Sequence, residues 1–95
     1  MKKRVLLAED EEHIAKLVVF VLQKEGFEVV HAKNGREAIE YLSQQTWNLA
    51  ILDVMMPQVD GWTVLKEIRS RPEYQKLPVL MLSAKGQKKD LGVAE

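Results

Sequence analysis

Short apolar runs alternate along this chain with stretches whose apolar residues recur every three to four positions. Val5–Ala8 is an unbroken apolar run and predicts a buried strand. From Glu11 to Glu25, Ile14, Leu17, Val18, Val21 and Leu22 share one helical face, and Gly26 is a natural stop. Glu28–Ala32 predicts a second strand, and Asn34 can cap a second helix whose inner face is Ala38, Ile39 and Leu42. Asn48–Asp53 is apolar through its middle, as in a strand covered on both faces. Asp60-Gly61 is a turn signal, Val64, Leu65 and Ile68 mark a third helix, and Arg71-Pro72 closes it. Pro78–Leu82 predicts a fourth strand, while Lys85 to Glu95 carries no strong period.

Strands alternating with helices at this spacing predict an α/β fold, a parallel sheet built from βα units, with ligands bound beyond the carboxyl ends of the strands. Acidic residues stand at those ends. Glu9 and Asp10 follow the first strand directly, and Asp53 ends the third. Carboxylates gathered there repel one another unless a cation neutralises them. Mg²⁺ suits the donors, because it takes oxygen ligands, needs few protein groups and keeps several waters. One carboxylate would then be free to attack phosphorus and form an acyl phosphate. Taken singly these residues have plainer readings. Glu9 and Asp10 with Glu11 and Glu12 suit a helix N-terminus, and Asp53 can simply end a strand.

Composition narrows the alternatives. The 95 residues make one small domain, residues 1–95, with 46% hydrophobic positions. Lysine plus arginine equals aspartate plus glutamate at 14 each, so no net field favours nucleic acid or an anionic membrane through this segment. The absence of cysteine excludes disulfides and thiolate metal sites, and His13 and His31 alone are poor provision for zinc. Met1-Lys2-Lys3-Arg4 before Val5–Ala8 faintly resembles a signal peptide, but four apolar residues are too few for its core. No stretch approaches the roughly 20 apolar residues that span a bilayer. A cytoplasmic protein is expected.

Several motifs in order resemble one family. Leu52-Asp53-Val54-Met55-Met56-Pro57 with Asp60-Gly61, the pair Glu9-Asp10, Leu82-Ser83-Ala84, and Ala32-Lys33-Asn34-Gly35-Arg36-Glu37-Ala38 are similar to the receiver domain of bacterial two-component response regulators. The resemblance covers essentially Lys3 to Gly86. It implies a flavodoxin-like parallel sheet with helices on both faces, and phosphorylation of Asp53 by a sensor histidine kinase or a small phosphodonor with Mg²⁺. It further implies that Asp10 and Asp53 bind Mg²⁺ directly, Glu9 through water, and Met55 through its backbone carbonyl. Ser83 would be the switch hydroxyl. Kinase specificity would lie on the surface of the first helix.

The pattern also departs from the family. A receiver continues through a further helix, a fifth strand ending in a Lys-Pro pair, and a last helix; here the usual last strand and last helices are not present. Lys85 is not that lysine. Leu91-Gly92-Val93-Ala94 resembles the loop after the family's fourth helix, so either the chain joins Asp90 to Leu91 across an absent helix or it is truncated. Truncation would leave Val79–Leu82 as an exposed apolar edge, inviting a homodimer or domain-swapped dimer. Two other functions remain as alternatives. One is a non-catalytic fragment that assembles through that edge. The other is an aspartate-nucleophile phosphatase, which would carry an aspartate two residues after the nucleophile, where Met55 stands. A nucleotide-binding domain lacks support, since no Gly-rich loop follows the first strand. His13, near the acidic pair on the first helix, is a candidate ligand but reads more simply as an exposed helix position, His31 as a strand residue, Trp47 and Trp62 as packing or partly exposed anchors, and Lys88-Lys89 as a solvated turn.

Overall fold

A computed structural model describes residues 2–82 and, as backbone, 92–94. The elements run β1 (Arg4–Ala8), α1 (Glu12–Lys24), β2 (Glu28–Ala32), α2 (Gly35–Leu42), β3 (Leu49–Asp53), α3 (Gly61–Arg69), a short 3-10 turn at Pro72–Tyr74, β4 (Val79–Leu82) and β5 (Gly92–Ala94). The sheet order is β2-β1-β3-β4-β5, parallel through β4. The first four strands and three helices stand where the apolar pattern puts them, within a residue or a few at each end. The sheet is the flavodoxin-like parallel sheet of the expected fold class.

Alternation along β1 divides the core. Leu6 and Ala8 point to the α2 and α3 side, with Ala38, Leu42, Val64 and Ile68. Val5 and Leu7 point to the other side, where Ala15, Val18, Val19 and Leu22 of α1 cover them. The chain ends of the helices follow local chemistry. At the end of α1, Gly26 has φ 92°. Its N–H bonds the Gln23 carbonyl at 3.0 Å and the Phe27 N–H bonds the Leu22 carbonyl at 3.1 Å. This paired closure needs the left-handed backbone that glycine adopts without penalty. At the start of α2, the Asn34 side chain accepts the Glu37 N–H at 2.8 Å, the expected cap.

Three expectations are corrected. First, the inner face of α1 is rotated: Leu17, Phe20 and Val21 are 63%, 59% and 48% exposed, and the inward stripe is Ala15, Val18, Val19 and Leu22. Residues 17–22 of the helix are all apolar, so periodicity alone does not choose a face. Secondly, Asp60-Gly61 is more than a turn: Asp60 caps α3 and Gly61 is its first residue. Thirdly, Val79–Leu82 is not an open edge, because β5 pairs with it antiparallel through Val79↔Ala94, Leu80↔Val93 and Met81↔Gly92. Gly92–Ala94 is therefore a strand rather than the loop the resemblance suggested, and the stated ground for edge-to-edge dimerisation is removed. The expectations on Ser83, Lys85 and Lys88-Lys89 lie outside the described residues.

The α3 cap yields a prediction. The Asp60 carboxylate accepts both the Thr63 N–H and the Thr63 hydroxyl at 2.9 Å. These bonds, the backbone one foremost, hold its carboxyl below the usual aspartate range. A carboxyl depressed in the folded state contributes stability above its unfolded pKa and loses it as pH falls through the folded value. Asp60→Ala is expected to cost about 1 kcal/mol at neutral pH. Urea unfolding midpoints should converge with wild type at a pH low enough to protonate the folded carboxyl, below the usual aspartate range. A gap that stays constant down to that pH would contradict the capping account.

Candidate functional site

The parallel register brings the carboxyl ends of β1 and β3 side by side. Ala8 pairs with Leu52 across one boundary and with Ala32 across the other. The residues that follow Ala8 and Leu52 are Glu9 and Asp53, so two carboxylates from distant parts of the chain emerge at one sheet end. With Asp10 they form a cluster in which one carboxylate oxygen of each residue lies within 4.8 Å of the others. Glu9 and Asp53 are each 1% exposed, whereas Asp10 is open to solvent.

Backbone donors orient both buried carboxylates. Glu9 Oε2 accepts the Glu11 N–H at 2.8 Å, and Asp53 Oδ1 accepts the Met55 N–H at 3.2 Å. Met55 is thus tied to the cluster through its amide, with its side chain exposed. Burying two carboxylates side by side is costly unless something positive shares the site. The donor set is all oxygen, two of the groups are fixed, and one is exposed to exchange with water. That set fits Mg²⁺.

The loop after β3 is shaped to the site. The Gly61 N–H bonds the Val54 carbonyl at 3.0 Å and closes residues 54–61 into a compact turn. Within it the Val59 N–H bonds the Pro57 carbonyl at 2.7 Å, placing Gln58, φ 69°, at the centre of a three-residue turn that side chains rarely adopt. Met56 is buried beneath the loop. On the helix side, a Cβ added to Gly61 would meet the Asp53 carbonyl oxygen and the Met81 methyl. Close approach requires glycine at position 61.

Glu9, Asp10 and Asp53, the three acidic residues expected at the site, come together. His13 does not join them: its side chain is exposed and lies 3.5 Å from Glu11. Trp47 is a buried packing residue whose Nε1 donates to the Tyr41 carbonyl, and Trp62 is half-exposed on α3. One neighbour of the cluster has no signal in the apolar pattern. His31 reaches from β2 to the Glu9 carbonyl, with 2.7 Å between Nε2 and oxygen.

The sequence matches the family described as the response regulator receiver domain over residues 5–94. The chain belongs to this family. Regulatory protein VanRc of Enterococcus gallinarum is 42% identical over 90 residues, which cover 95% of this receiver and 38% of VanRc. Response regulator GtcR of Aneurinibacillus migulanus is 40% identical over 90 residues, 95% of this chain and 36% of GtcR. The receiver therefore spans less than two-fifths of the length of these relatives. Chemotaxis protein CheY4 of Vibrio cholerae superposes with a TM-score of 0.85 at 32% identity, over 92% of this chain and 72% of that one. TrrA of Thermotoga maritima, solved in complex with Mg²⁺-BeF, gives 0.80 at 36% identity, over 88% and 71%. These likenesses make the chain a two-component signalling module with a CheY-like fold. No helix among its described residues is long and apolar enough to cross a membrane.

Proposed function

We propose that this receiver takes a phosphoryl group onto Asp53, from a sensor histidine kinase or a small phosphodonor, in a Mg²⁺-dependent reaction. The observation that carries the reading is the cluster of Glu9, Asp10 and Asp53 within 4.8 Å, with two of the three buried. A carboxylate oxygen of Asp53 forms the new O–P bond while the bond from phosphorus to the donor breaks and the donor departs with its electron pair. When bound, Mg²⁺ supplies charge neutralisation for the phosphoryl oxygens. Asp10 and Asp53 would hold it directly, Glu9 through water, and Met55 through its carbonyl. The Met55 N–H keeps one Asp53 oxygen oriented. Ser83, next in sequence after β4, is proposed as the hydroxyl that engages the added phosphoryl group. The module's output is a changed surface rather than a released product.

Intact mass before and after acetyl phosphate tests this directly. A gain of one phosphoryl group with Mg²⁺, absent with chelator and absent in Asp53→Asn, is the expected result. Uptake that survives either change would overturn it.

The rotated face of α1 supports a protein donor. Leu17, Phe20 and Val21 form an exposed apolar stripe at i, i+3 and i+4. The stripe lies on the helix whose surface the family resemblance assigns to kinase recognition. Phe20→Lys is expected to leave phosphorylation by acetyl phosphate unchanged and to slow transfer from a phosphorylated partner kinase by roughly tenfold or more, the effect of losing one buried aromatic anchor. Equal slowing with both donors would place Phe20 in the fold rather than in the docking surface.

A further inference from the structure

We propose that His31 is a positioning residue for the cation site, acting through the peptide bond between Glu9 and Asp10. The proposal rests on the reading of Glu9, Asp10 and Asp53 as the Mg²⁺ site and adds a residue to its support. The β1–β2 ladder ends where the Glu9 N–H bonds the Ala32 carbonyl at 3.1 Å. The Glu9 carbonyl lies on the far side of that last bond, and the His31 ring takes it at 2.7 Å. A carbonyl oxygen only accepts, so Nε2 carries the proton and donates. The other ring nitrogen has no part in this bond, which exists with the ring neutral or charged.

The mechanical consequence follows from backbone planarity. The Glu9 carbonyl and the Asp10 nitrogen belong to one rigid peptide unit, so fixing the oxygen fixes the plane on which Asp10 begins. Glu9 is then held at its N–H by Ala32, at its carbonyl by His31, and at its carboxylate by the Glu11 N–H. Of these three, His31 alone contributes a side chain from another element. It is registered opposite Leu7, two residues before the carbonyl it holds. Without the ring, the plane can rotate and carry the exposed Asp10 carboxylate away from Asp53. Outer groups that orient metal ligands typically change metal affinity by about 10- to 100-fold when removed.

Magnesium titrations of the full chain by calorimetry, paired with metal-free melting curves, test the assignment. His31→Leu and His31→Val, which lack a donor, should bind Mg²⁺ about tenfold more weakly while melting close to wild type. His31→Gln, whose amide nitrogen reaches about as far as Nε2, should restore affinity to within roughly twofold. In acetyl phosphate assays the donor-less variants should need more Mg²⁺ for half-maximal rate yet approach the wild-type rate at saturation. Unchanged Mg²⁺ affinity in a folded donor-less variant would overturn the proposal while leaving the site reading intact. A tenfold loss in His31→Gln, or loss of cooperative melting in both donor-less variants, would also overturn it. Failure of the wild type to bind Mg²⁺ would remove the site reading, and this proposal with it.

Discussion

Asp53→Asn is expected to take up no phosphoryl group from acetyl phosphate, and yet to melt higher than the wild type once divalent cations are chelated. Both effects come from one carboxylate. Asn keeps the shape of Asp and an oxygen to accept the Met55 N–H, so the loop geometry should survive. What disappears is a nucleophilic oxygen and one negative charge. Two like charges within 4.8 Å of each other repel by about 3 kcal/mol or more at an effective dielectric of about 20. Exposure of Asp10 screens part of this, leaving a gain of roughly 1–2 kcal/mol, or about 5–15 °C for a domain of this size. Added Mg²⁺ should raise the wild-type midpoint, because a ligand that binds only the folded state stabilises it, and should raise that of Asp53→Asn far less. Differential scanning calorimetry with and without chelator reads both. Identical midpoints in chelator would contradict the repulsion, and equal responses to Mg²⁺ would show that the three carboxylates do not share a cation.

Gly61→Ala is expected to destabilise the receiver and disturb Asp53, against the ordinary rule that alanine improves a helix. Helix propensity favours alanine over glycine by about 1 kcal/mol. Here the added methyl would press on the Asp53 carbonyl oxygen and the Met81 methyl. Overpacking of this kind typically costs about 1–3 kcal/mol and occasionally more, and here the obstacle is backbone, which yields least. The steric loss should therefore exceed the propensity gain. Gly61→Val should be worse, combining the same clash with a branched side chain. Chemical denaturation measures the net sign, and Mg²⁺ affinity should fall in parallel as Asp53 shifts. A stabilised Gly61→Ala with intact Mg²⁺ binding would show that the helix start can move aside.

The legibility of this chain differed between its elements for a physical reason. The strand at Val5–Ala8 is readable because an unbroken apolar run is a local property. So are the Gly26 closure and the Asn34 cap, each set within a few residues. In α1 the pattern places Val18 and Leu22 inward, as found, but puts the exposed Leu17 and Val21 with them. Its run of apolar residues from 17 to 22 satisfies several helical faces equally, and only packing against Val5, Leu7 and Ile51 selected Ala15, Val18, Val19 and Leu22. Gly61 was legible as a glycine but not for its function, since the obstacle to a side chain is a carbonyl eight residues away.

The alternation of strands and helices, the fold class, and the acidic residues at the ends of β1 and β3 are all legible from local sequence. So is the motif order by which the chain resembled its family. The fold sets which distant ends meet. Strand order and register bring Glu9 and Asp10 to Asp53, 43 residues on from Asp10 by number, and set His31 against the Glu9 carbonyl. It also decided that β5 covers the edge of β4. Periodicity reports how a residue relates to neighbours two to four positions away. Contacts made through a sheet depend on crossover and register, which no local pattern encodes.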